Sequence, residues 1–370
     1  MSGFHLVGLF AMTFSLALGS CAAQPTKTED GTRPFRMGFT PWPADLTVEG
    51  VTISLNFAHE HGDIVSVMMN GGLPWQEALE NLAFSPDVQR QLAYRPPQGK
   101  KLFVSISILD TGREGLAPYW GEHDNMPLPA SWTGLAMNDP KVKKAYLAFC
   151  LRVIERMHPD YLAIGVENNV LLSKKPTKWA ELKDLHRDTY LGLKRAYPSL
   201  PVFFTTDIGH YLKFAPEAKG KDQQGEVAEM MKYSDLFAMS LYPYFNLDFK
   251  AAMSPGFLDF ARMFHKPIAV SESGMTSRGV TLKSYQVTLR GSEDQQRQFT
   301  DSLLKTAQRD RYEFVINFAK TDFEKLVAKL PASSSDLALI WAFTGMQTSS
   351  SAPKPAQVAW DRFYRMRYVR

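Results

Sequence analysis

Short apolar runs alternate with longer amphipathic stretches along almost the whole of this chain, and that alternation constrains the fold more than any other feature. The runs are Arg36 to Thr40, Ile64 to Met69, Leu102 to Ile108, Tyr161 to Val166, Val202 to Thr206, Leu236 to Leu241, Ile268 to Glu272 and Phe314 to Phe318. Such alternation argues for parallel strands covered by helices. Eight of them predict an α/β fold, a single (β/α)8 TIM barrel, which commonly needs about 250 residues plus insertions. The 370 residues accommodate that, with the barrel expected over 34–370. Pro140 to Met157, Trp179 to Tyr197 and Glu293 to Arg309 carry apolar residues at helical spacing. Asp139-Pro140 reads as a cap followed by a proline at the first helical position. Leu337 to Phe343 has the look of a further strand, but eight already close a barrel. It is therefore placed in an excursion after the last strand, before a final helix near Pro355 to Met366.

The segment Phe4 to Leu18 is almost wholly apolar and ends in small residues, the pattern of a secretory signal. Leu18-Gly19-Ser20-Cys21 resembles the bacterial lipobox, which implies cleavage after residue 20, lipidation of Cys21 and a polar linker over 21–33. His5, with no Lys or Arg, precedes the apolar run, so an uncleaved membrane anchor is the alternative. Either reading exports the barrel and holds it at the cell envelope, on the outer membrane if the cell is Gram-negative. Lipidation of Cys21 leaves Cys150 alone, so no disulfide forms within a mature chain. Its helical context suits a small buried residue.

With 42 basic and 38 acidic residues the formal net charge is +4, and no stretch of like charge stands out. That argues against nucleic acid as a partner. No H-E-x-x-H helix, phosphate-binding glycine loop or G-x-S-x-G elbow is present, so no metal or cofactor is expected. His59-Glu60-His61 precedes the second strand and so belongs at the bottom of the barrel, whereas barrel chemistry sits at the carboxyl ends of the strands.

At those carboxyl ends two glutamates stand out. Tyr161-Leu162-Ala163-Ile164-Gly165-Val166 leads into Glu167, and Pro267-Ile268-Ala269-Val270-Ser271 leads into Glu272. An apolar strand that finishes in an ionisable residue brings a costly charge close to the core unless the residue faces a cleft or a partner. One such glutamate pairs more often with a neighbouring Arg or Lys. Two, on opposite sides of a barrel, match glycoside hydrolysis, in which one carboxyl protonates the leaving oxygen and another attacks the sugar.

At these residues the chain resembles the clan A glycoside hydrolases, barrel enzymes with an acid/base at the end of strand four and a nucleophile at the end of strand seven. Within the clan it is similar to the arabinogalactan endo-β-1,4-galactanases through Ile164-Gly165-Val166-Glu167-Asn168 and Ser240-Leu241-Tyr242-Pro243-Tyr244-Phe245. The resemblance implies that Glu167 is the acid/base and Glu272 the nucleophile of a retaining enzyme acting on a β-linked carbohydrate, with Tyr242 orienting the nucleophile. The clan places an Asn before the acid/base, where it binds the sugar 2-hydroxyl. Val166 stands there instead, so Asn168 takes over, the substrate differs, or turnover has been lost. The last option leaves a glycan-binding envelope lipoprotein as the competing reading.

Other candidates for substrate contact follow from position. Trp42, Trp75 and Trp120 follow strands one, two and three, where rings could stack on sugars or merely pack. Asp207 and His210 follow strand five, and Trp341 lies in the last excursion. The expected partners are a carbohydrate and, through the lipid, a membrane, with the protein a monomer.

Overall fold

All the apolar runs become strands of one sheet in the computed structural model, which describes residues 31–369 apart from 46, 247, 248, 255 and 331. The strands are β1 (Arg36–Phe39), β2 (Ile64–Met69), β3 (Lys101–Ile106), β4 (Tyr161–Ala163), β5 in two halves (Val202–Phe203 and Thr205–Asp207), β6 (Phe237–Leu241), β7 (Ile268–Ser273) and β8 (Phe314–Asn317). Every pairing is parallel. The order runs from the first half of β5 through β4, β3, β2, β1, β8, β7 and β6 to its second half, so the sheet closes on itself through β5. The protein is a (β/α)8 barrel.

Barrel closure requires tight strand contacts. A Cβ added at Gly38 on β1 would fall 1.9 Å from the carbonyl oxygen of Ile64 on β2, so only glycine fits. The lumen is a packed core, not a pore. The Phe103 ring lies 5.7 Å from Phe203 and 5.2 Å from Phe314, which in turn meets Tyr161 edge-on at 4.9 Å. These rings fill the lumen, leaving the mouth as the place where polar groups meet solvent.

Helices Pro140–Met157 and Glu293–Arg309 span their expected ranges, and Trp179–Ala196 ends one residue early. Asp139 caps the first of them by accepting from the Lys141 amide at 2.8 Å. Cys150 is fully buried on that helix, which pushes its thiol pKa well up. Residues 337–339 end the helix Ala332–Leu339, so the stretch through Phe343 adds no strand. The final helix, Pro355–Tyr364, packs on Glu293–Arg309, and beneath the barrel Thr32–Arg33 pairs with Arg367–Tyr368.

The signal segment, Cys21 and most of the linker lie outside the described residues, among which no helix is long and apolar enough to cross a membrane. His59 and His61 are placed on the underside. His59 Nε2 lies 3.1 Å from the Tyr94 hydroxyl, and His61 Nδ1 lies 2.7 Å from Asp361 Oδ1.

Candidate active site

The chain leaves β4 three residues earlier than its apolar pattern suggests, because Ile164 and Gly165 follow β5 instead. The Ile164 amide donates to the Phe203 carbonyl at 2.7 Å, and the Thr205 amide to the Gly165 carbonyl at 2.9 Å. Glu167 then takes φ of +52°, a conformation that costs a non-glycine residue free energy and persists only where the surroundings hold it. Its amide donates to Thr205 Oγ1 at 2.8 Å, which fixes the turn. Glu272, by contrast, lies within β7, paired with Ser240 of β6 just past a register shift between Met239 and Ser240.

Both carboxyls line one cavity of about 1740 Å³ at the mouth of the barrel. Ligand pockets for small molecules run to roughly 300–1,000 Å³, so this one has room for several sugar units. Around Glu167, Ser240 Oγ donates to Oε1 at 2.7 Å and Arg113 Nη2 to Oε2 at 3.2 Å. Around Glu272, the Tyr242 hydroxyl donates to Oε2 at 3.0 Å. Burial, followed by the charge of Glu167, pushes the Glu272 pKa up to about 8, against the opposing effects of the Tyr242 hydrogen bond and Arg113. Glu272 thus keeps its proton through neutral pH. Burial, then the charge of Glu272, holds the Tyr242 phenol well above its usual range, so it remains a donor.

Asp207 and His210 also reach the cavity. His210 Nδ1 lies 2.6 Å from Asp207 Oδ1 and Nε2 lies 3.2 Å from Glu217 Oε1. Burial alone would lower its pKa, but the Asp207 hydrogen bond and the two carboxylate charges outweigh it and leave the pKa raised. Trp42 and Trp341 line the same wall. Trp42 packs 5.7 Å from Phe318, and Trp341 lies 6.4 Å from both Tyr242 and Phe245.

Three expected contacts are corrected. Trp75 is 1% exposed and donates its indole N–H to the Ala117 carbonyl, while Trp120 donates to buried Asp87 at 2.7 Å. Both are core residues behind the cavity wall. Asn168 is fully buried with its side chain packed on Gly165, where an added Cβ would lie 2.3 Å from Nδ2. It therefore does not replace the amide missing at Val166, which is itself buried.

Several lining residues escape a reading by strand ends. Arg113 has φ of +56° in the turn after β3, where its amide donates to the Asp110 carbonyl. Asn70, directly after β2, and Asn125 also line the cavity. Asn70 Oδ1 and Asn125 Nδ2 are buried without a hydrogen-bond partner, as is Arg113 Nε. Asn70 alone follows a strand directly, so position could have flagged it. Among the described residues no group of three or more His, Cys, Asp or Glu is placed to hold a metal ion.

No family model and no curated protein matches this chain. Its fold does match solved structures. An exo-β-1,4-mannosidase from Opitutaceae bacterium strain TAV5 is 14% identical with a TM-score of 0.60; the match covers 90% of this chain and 59% of that one. A GH5_18 protein from Streptomyces cattleya, in complex with Manβ1-4GlcNAc, is 15% identical over 90% of this chain and 80% of that one, with a TM-score of 0.60. A β-glucuronidase from an uncultured Clostridium sp. is 12% identical over 90% and 50%, with a TM-score of 0.52. At these identities the shared property is the barrel, and this chain spans less than two thirds of the mannosidase.

Proposed function

We propose that this protein is a retaining glycoside hydrolase acting on a β-linked oligo- or polysaccharide, with Glu167 as acid/base and Glu272 as nucleophile. One observation carries the reading: two carboxyls from opposite sides of the barrel share one cavity closely enough for the charge of Glu167 to raise the pKa of Glu272. The glycosidases among its structural neighbours support the same class of substrate.

In the first step the Glu272 carboxylate attacks the anomeric carbon, while Glu167 gives its proton to the departing glycosidic oxygen. In the second, Glu167 takes a proton from water as that water displaces Glu272 from the same carbon, restoring both groups. Glu272 is protonated in the free protein at neutral pH, so it must give up that proton before it attacks.

Glycan screening of the full-length chain, followed by Glu167→Ala and Glu272→Ala with added azide, tests the assignment. Azide should restore turnover to both, giving a β-glycosyl azide with the first and an α-glycosyl azide with the second; full activity in either variant without azide refutes it.

A second reading, a glycan-binding lipoprotein without turnover, draws on the burial of both Val166 and Asn168, which leaves the sugar 2-hydroxyl without the amide expected beside Glu167. Tight oligosaccharide binding with no product after long incubation would favour it. In either case the lipobox-like Leu18 to Cys21 supports export and a lipid tether at the envelope, and Cys21→Ala should release the protein from membranes.

A further inference from the structure

We propose that Arg113 is the recognition site for a carboxylate on the substrate, so that the preferred glycan carries a uronic acid next to the scissile bond. The inference rests on the glycosidase reading for its bond-breaking step but not for binding.

The geometry at Arg113 leaves recognition unfinished. Its Nη1 donates to the Asp110 carbonyl at 3.1 Å and to Ser107 Oγ at 3.4 Å, which anchors one side of the guanidinium to the turn. The other side carries Nη2 and Nε. Nη2 touches Glu167 Oε2 at 3.2 Å, longer than the roughly 2.7–2.9 Å of a strong charge-assisted bond. Nε has no partner although it is buried. Arginine grips a carboxylate best through two parallel N–H donors, and here one is idle and the other loosely used. The side chain is only 11% exposed, so that idle donor is costly until an acceptor reaches it.

The cavity that Arg113 lines can supply the acceptor. Glu167 does not depend on Arg113 alone, since Ser240 holds its other oxygen at 2.7 Å. Lysines also surround the turn, against the carboxylates of Asp110 and Glu114 within it. Lys174, which also lines the cavity, donates to the Gly112 carbonyl at 3.0 Å, Lys178 to the Glu114 carbonyl at 3.1 Å, and Lys175 pairs with the Glu114 carboxylate at 3.3 Å. A substrate carboxylate seated on Nε and Nη2 satisfies the orphaned donor and draws the guanidinium from Glu167.

The test uses matched pairs of β-linked oligosaccharides that contain glucuronic or galacturonic acid, each beside the same sugar with its carboxyl reduced to the alcohol. Calorimetry on the full-length chain carrying Glu272→Gln, which prevents turnover, should show at least one acidic member binding about tenfold tighter than its reduced twin. Arg113→Met should abolish that preference and Arg113→Lys should retain part of it, with thermal unfolding confirming that both variants fold. Equal affinity within every pair, a preference that survives Arg113→Met, or no binding of any acidic member overturns the inference. Hydrolysis of neutral glycans without an acidic preference would sink it while leaving the glycosidase reading intact. Selective binding of acidic glycans without product would do the reverse.

Discussion

The Tyr242 hydroxyl donates to Glu272 Oε2 at 3.0 Å, joining the residue that follows β6 to a carboxyl of β7. Because the phenol is held protonated, it stabilises the charged form of Glu272 and, in the proposed mechanism, leaves the other oxygen free to attack. Tyr242→Phe should therefore lower kcat about tenfold or more, the scale of a lost hydrogen bond to a charged group. The same change removes an effect that lowers the Glu272 pKa, so the limb of kcat/KM that reports Glu272 should move to higher pH. An unshifted limb would mean that Tyr242 only packs.

Glu272 also links the site to stability. Its pKa lies near 8 in the folded chain against 4.5 for an ordinary glutamate. Between those values the unfolded chain has released a proton that the native state still binds, so stability falls as pH rises. The contribution is undisturbed below about pH 4.5 and fully unfavourable above about pH 8. Glu272→Gln should abolish hydrolysis yet raise the Tm at pH 8.5 relative to the unsubstituted protein, with the gain shrinking towards pH 5. A gain of equal size at both pH values would show that packing, not charge, is responsible.

The strands were legible because burial on both faces of a parallel strand leaves a continuous apolar run, as in Ile64–Met69, which begins and ends where that run does. Glu167 and Glu272 were legible for the complementary reason that each interrupts such a run at its carboxyl end. What position along a strand cannot convey is direction. Trp75 and Trp120 follow strands at the active face of the barrel, yet local turns aim them into the core, where their indole nitrogens find the Ala117 carbonyl and Asp87. Ile164 to Val166 is apolar enough to extend β4, but its hydrogen bonds to β5 carry it into a turn. Arg113 gave no signal at all. It belongs to no periodic pattern, and its reach to Glu167 depends on a left-handed backbone that only the folded turn imposes.

Asp207 and Glu217 hold His210 between them, so its charge should matter to the cavity. The raised pKa means that the imidazole stays protonated to higher pH than a free histidine. For a raised group the stabilising contribution is complete below the ordinary value of 6.5 and is lost as pH rises through the folded value. His210→Gln should therefore reduce stability most at pH 5 to 6, by about 1.5–3 kcal/mol on the scale of a hydrogen bond to a charged group, and little at pH 9. Denaturant titrations at the two pH values read this directly, and an equal loss at both would contradict the charged pair.

Trp341 and Trp120 make a matched contrast, since both are tryptophans in excursions from the barrel and only Trp341 lines the cavity. The Trp341 ring stands beside Tyr242 and Phe245, in position to meet a sugar face. Trp341→Ala should weaken oligosaccharide binding by about 1–2 kcal/mol, seen as a roughly tenfold rise in KM, with a smaller effect on Tm. Trp120→Phe keeps most of the ring volume but leaves Asp87 Oδ2 buried without its donor, which costs about 1–3 kcal/mol of stability. Its KM should stay within about twofold of the unsubstituted value, because the lost bond lies behind the cavity wall. If Trp120→Phe instead raised KM as much as Trp341→Ala at unchanged Tm, the placement of Trp120 in the core would be wrong, and the cavity would have to extend past Asp87.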